Sequence, residues 1–112
     1  MTLVHKHCVP CDGNTPPLSD ERIAALLEEL DHDWQLVDGK VTKTLLFKTF
    51  PVAIAFVNKV AELAEAEGHH PDMLINYRAV TFSLITYVMH SLSDNDFVLA
   101  AKIQALFDQE PA

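Results

Sequence analysis

Behind Ser19, Asp20 and Glu21, the apolar residues Ile23, Leu26, Leu27 and Leu30 recur at three- and four-residue spacing, which predicts an amphipathic helix ending near Leu30. Ser19 suits an N-cap, and the two acids fall where the helix dipole favours negative charge. From Trp34 the period shortens. Val41, Leu45 and Phe47 share one face of an extended run that Lys43 interrupts, and Asp38-Gly39 is a two-residue turn signal. A β-hairpin is expected there. Pro51 then opens a second helix, to about residue 67, with a stripe of Ile54, Val57, Val60, Ala61 and Ala64, and Gly68 marks its end. From Met73 to Tyr87, Val80, Phe82, Leu84 and Thr86 alternate with Thr81, Ser83, Ile85 and Tyr87. That run is too long for one strand, so a turn near Arg78-Ala79 should split it. Ser93 with Asp96 three positions on has the form of a capping box, and a third helix follows through Phe97, Ala100, Ala101, Ile103, Leu106 and Phe107.

The order α-β-β-α-β-β-α describes an α+β domain, a four-stranded antiparallel sheet with helices packed on one face. It occupies residues 19–112. Residues 1–18, punctuated by Pro10, Gly13, Pro16 and Pro17, develop no apolar period and read as an irregular leader, a flexible tail whose loss should matter little.

At 112 residues the chain suits one domain. Eight Lys and Arg against sixteen Asp and Glu leave a formal charge of -8, which repels phosphate backbones and acidic membrane surfaces, so no direct nucleic-acid partner is expected. No apolar run is long enough for a signal peptide or a membrane span, and a cytoplasmic location is the default. Cys8 and Cys11, flanked by His5 and His7, could form a tetrahedral zinc set. One short knuckle would then supply every ligand, so reduced thiols without metal are the expectation.

The segment with most chemistry is Glu65-Ala-Glu-Gly-His69-His70-Pro71-Asp72. Glu65 and His69 are four apart and share a face while the last helical turn persists. The carboxylate and the helix dipole both favour an imidazolium there. Imidazole can give and accept protons near neutrality, although histidines at helix ends are also favourable with the dipole alone. If Met73–Tyr87 is a hairpin, its open ends bring His69 and His70 beside Tyr87 and His90, with Asp96 in the first turn of the next helix.

These residues carry a resemblance to a known family. Glu65-x3-His69-His70-Pro71, Tyr77, and Asp96 within Leu92-Ser-Asp-Asn-Asp-Phe resemble the signature of the pterin-4a-carbinolamine dehydratases. Trp34, Ala55-Phe56-Val57-Asn58 and the Lys6-His7-Cys8-x-x-Cys11 leader are similar to members as well. The resemblance implies dehydration of a 4a-hydroxytetrahydropterin to the quinonoid dihydropterin. A proton must reach the departing 4a-hydroxyl while a base takes a ring N–H proton, with no metal and no redox cofactor required. It implies catalytic roles for Glu65, His69, His70 and Asp96. His70 would transfer the proton at the hydroxyl, and His69, paired with Glu65, would position the ring or balance its charge. Pro71, Tyr87 and His90 would adjoin the substrate. It also implies a homodimer or homotetramer.

In one place the chain departs from the family. Where members carry a further His, or sometimes Trp, this sequence has Tyr87, and a phenol with a pKa near ~10 is a poor proton acceptor at neutral pH. Two functions therefore stand side by side: an active dehydratase slowed by Tyr87 or helped by His90, and a degenerate member acting with a protein partner as a binding, dimerisation or assembly factor.

Overall fold

Helix α1 spans Asp20–Leu30, with the Ser19 hydroxyl accepting from the Arg22 N–H at 3.1 Å as the N-cap should. The structure, a computed structural model, describes residues 3–30 and 33–110. Strands β1 (Gln35–Val37) and β2 (Lys40–Leu46) meet through Asp38 and Gly39 at φ 53° and 76°, two left-handed residues in succession, as a type I′ turn needs. Trp34 precedes β1 instead of lying in it. Its buried indole donates to Gln104 Oε1 at 3.0 Å, the same oxygen that takes the ammonium of Lys43 at 2.8 Å. Gln104 thus explains how a lysine can interrupt a core-facing strand: its charge has a partner.

Helix α2 (Phe50–Glu67) has Thr49 as its N-cap and stops at Gly68, whose φ of 68° is left-handed. Strands β3 (Asp72–Asn76) and β4 (Ala79–Leu84) follow, then α3 (Asp94–Asp108). The turn between β3 and β4 falls on Tyr77-Arg78, one residue before the expected place, because Tyr77 takes the left-handed position at φ 55°. Strand β4 also ends earlier than the alternation suggests. Thr86 forms an isolated bridge with Ser91, and a 3₁₀ turn over Tyr87–Met89 closes at His90, so Tyr87 lies beyond the strand.

The sheet is antiparallel throughout, in the order β1-β2-β4-β3. Val41 lies opposite Leu84 and Leu45 opposite Val80, which puts all four on the face covered by the helices. There Phe47, Phe56 and Phe82 pack with ring centroids 5.1 and 5.9 Å apart. The opposite face is uncovered: a hydroxyl ladder of Thr42, Thr44, Thr81 and Ser83 runs between exposed Leu46 and Leu74. The architecture is the expected α+β one.

The leader is not a free tail. Leu3 is buried in the core, and residues 7–9 are hydrogen-bonded to the end of α2 and the start of α3.

Candidate active site

Gly68 decides the geometry of the two histidines. Its left-handed conformation ends α2, and the N–H groups of Gly68 and His69 both turn back to the Ala64 carbonyl, at 2.9 and 3.2 Å. The helix is therefore finished before His69, and the four-residue spacing from Glu65 no longer places the two on one face. His69 instead reaches inward, and its Nε2 lies 2.6 Å from Oδ1 of Asp96. Glu65 pairs with the next residue, Oε2 lying 2.5 Å from His70 Nε2. The expected pairing of Glu65 with His69 is corrected accordingly: His69 pairs with Asp96, and Glu65 pairs with His70.

The pairs differ in setting. Asp96 is fully buried, and its other oxygen accepts from the Ser93 N–H and the Thr86 hydroxyl, each at 2.9 Å. It serves at once as the helix cap and as the acceptor for His69. His70 and Glu65 are both well exposed. A carboxylate accepts only, so each histidine donates through Nε2–H, which leaves the lone pair of the neutral ring on Nδ1.

Both imidazoles border a cavity of about 480 Å³, walled by residues 67–70, residues 85–88, Asn95 and, from the leader, residues 8–11. The size suits a small bicyclic molecule. Tyr87 stands on its wall, with the phenol donating to the Asp72 carboxylate. Lys40 Nζ lies 3.4 Å from both the Tyr87 hydroxyl and Asp72 Oδ2, and these bonds push the ammonium pKa up. Pro71 leads into β3 and His90 is exposed beyond the 3₁₀ turn. Neither borders the cavity.

Sequence reasoning passed over Thr86, Glu67, Asn95 and the leader. Burial alone would raise the pKa of Glu67, but the Cys8 N–H, the His7 imidazole and the Lys102 ammonium outweigh it and hold the carboxyl below its usual range. Burial, with Glu67 nearby, pushes the Cys8 thiol up to about 12. Among the described residues, no three or more His, Cys, Asp or Glu side chains gather as a metal site would need. Only Asn95, a polar residue in the first turn of α3, left a trace in the sequence. The leader's contacts are all distant in sequence and leave no periodic signal.

Comparison with known proteins adds an independent line. A family model described as pterin 4 alpha carbinolamine dehydratase matches residues 16–106. Two relatives, each named "Putative pterin-4-alpha-carbinolamine dehydratase", come from Nitrosomonas europaea and Rickettsia bellii. The first is 41% identical over 94% of this chain and 93% of its own length, the second 42% over 94% of both. A crystal structure described as a transcriptional coactivator/pterin dehydratase from Brucella melitensis superposes with a TM-score of 0.75. It is 31% identical, over 81% of this chain and 98% of that one.

Proposed function

The chain belongs to the pterin-4a-carbinolamine dehydratase family, and we propose that the cavity beside His69 and His70 is where it eliminates water from a 4a-hydroxytetrahydropterin. The protein is a hydro-lyase whose product is the quinonoid dihydropterin. The observation that carries the assignment of the site is the pair of tautomer-fixed imidazoles, each backed by a carboxylate, on the border of one cavity.

Their settings support a division of labour. His70, exposed at the cavity border and hydrogen-bonded to Glu65, can exchange protons with solvent, so it is our choice for the proton given to the departing 4a-hydroxyl, which leaves as water while the N5 lone pair forms the new double bond. His69, through Nδ1, takes the ring N–H proton. Asp96 then faces a newly formed imidazolium at 2.6 Å, with the opposite charge already in place. Two such transfers contribute roughly 10²–10⁴-fold each. Tyr87 donates to Asp72 and serves as a wall, not as a third proton acceptor.

We infer a homodimer or homotetramer as well. The uncovered sheet face with its exposed Leu46 and Leu74, and the two open edges at β1 and β3, support self-association, which light scattering would measure. Among the described residues no helix is long and apolar enough to cross a membrane, and a cytoplasmic location is our reading.

The test is direct: generate the 4a-carbinolamine in situ and follow its dehydration with and without the protein. Acceleration proportional to enzyme is expected. A protein without effect on the rate would leave the alternative role, a binding or assembly factor, to which the description of the Brucella structure also gives a precedent.

A further inference from the structure

We propose that residues 8–11 of the leader are a built wall of the pterin site, and that Asn95 is the positioning residue that sets this wall. The inference rests on reading the cavity as the pterin site.

Asn95 is buried, and both ends of its amide are spent on one leader residue: Oδ1 accepts from the Val9 N–H at 2.9 Å, and Nδ2 donates to the Val9 carbonyl at 2.7 Å. This reciprocal pair fixes the Val9 backbone on both sides, as a strand partner would. The same Nδ2 lies 3.4 Å from Cys11 Sγ. One residue earlier, the Cys8 N–H donates to Glu67 Oε1 at 2.8 Å. The leader is thus held by Asn95, next in sequence to Asp96, and by Glu67, two residues before His69. The fastenings of the wall thus adjoin, in sequence, His69 and its carboxylate partner Asp96.

A pterin is flat, with polar edges and apolar faces. Val9 and Pro10 bring an apolar surface to the cavity. Such a surface holds the ring by contact and excludes water without taking part in either proton transfer. Loosening it should therefore weaken binding and spare the chemical step.

Two measurements on the full chain test this. Asn95→Ala should raise KM for the carbinolamine at least about fivefold and change kcat less than about twofold. A variant with KM unchanged, whether or not kcat falls, would overturn the proposal. The second measurement uses the unmodified protein and holds even if the variant fails to fold. Burial pushes the Cys8 thiol up to about 12, and iodoacetamide alkylation at about pH 8, mapped residue by residue by mass spectrometry, is read at Cys11. Saturating 7,8-dihydrobiopterin should slow alkylation of Cys11 by about fivefold or more. An unprotected Cys11 in a protein that dehydrates the carbinolamine would sink the wall alone. A protein that neither dehydrates the carbinolamine nor binds the dihydropterin in a fluorescence titration would sink the pterin reading, and the wall with it.

Discussion

His69 Nε2 lies 2.6 Å from Oδ1 of Asp96, across 27 residues of sequence, and the carboxylate it meets has no exposed surface. A buried carboxylate persists only with donors to satisfy it, and Asp96 has three: His69, Thr86 and the Ser93 N–H. The contact therefore joins stability to chemistry, because the group that caps α3 also fixes which nitrogen of His69 bears the proton.

Asp96→Asn tests that junction. An amide has one acceptor oxygen where the carboxylate has two, so either the cap or His69 loses its acceptor. We expect kcat to fall at least ~tenfold, and unfolding in denaturant to show a loss of about 1–3 kcal/mol. Full turnover in this variant would show that His69 needs no partner.

The exposed pair should behave differently. An ion pair at the surface contributes only ~0–1 kcal/mol, so His70→Ala should leave the unfolding midpoint nearly unchanged. Dehydration should nevertheless drop at least ~tenfold. Glu65→Gln should give a smaller loss, since it removes the charge and keeps the imidazole. If His70→Ala retains full kcat/KM, the acid has been assigned to the wrong ring.

Glu67 supplies a pH dependence. Burial would raise its pKa, but the donors from Cys8, His7 and Lys102 win and hold it below the unfolded value. For a carboxyl lowered on folding, the stabilisation is complete above the unfolded pKa, near ~4.3, and is lost as pH falls through the folded value. Glu67→Gln should therefore lower Tm at pH 7. The gap from the unmodified protein should close under acid conditions, below about pH 4. A gap independent of pH across that range would mean that Glu67 acts by shape and not by charge.

The helices and the core were legible because periodicity records burial: Leu26, Leu30, Val60, Val80, Phe82 and Leu84 were all readable as inward positions, and all are buried. The Asp38-Gly39 turn and the Ser93–Asp96 box were equally plain, since each is a local bargain between neighbours in sequence. What failed was reach. Helical spacing paired Glu65 with His69 because nothing in the residue pattern says how far Gly68 rotates the chain once the helix stops. The leader escaped for the same reason: its partners Glu67 and Asn95 lie 59 and 86 residues away. Tyr87 was expected at a strand end and found in a 3₁₀ turn, because Thr86 bridges to Ser91 and closes the strand early.

Tyr87→His is the most telling substitution. Tyr87 is 52% exposed on the cavity wall, and its phenol donates to Asp72 with Lys40 beside both. In that arrangement the hydroxyl is a donor already engaged, and it offers no basic atom near neutral pH. An imidazole there would titrate in the working range, and exposure leaves it room without repacking the core. Asp72 favours its charged form and Lys40 opposes it, so the ring should remain able to exchange protons. We expect kcat/KM to rise roughly tenfold, with little change in Tm. His90 is the rival source of a third imidazole, but it is exposed and does not border the cavity, so His90→Ala should leave kcat/KM unchanged. Steady-state turnover of both variants separates the two. No gain from Tyr87→His together with a dead His90→Ala would transfer the role to His90, moved there by a rearrangement of the 3₁₀ turn. A gain from Tyr87→His with a silent His90→Ala would establish that the missing imidazole is what limits the rate.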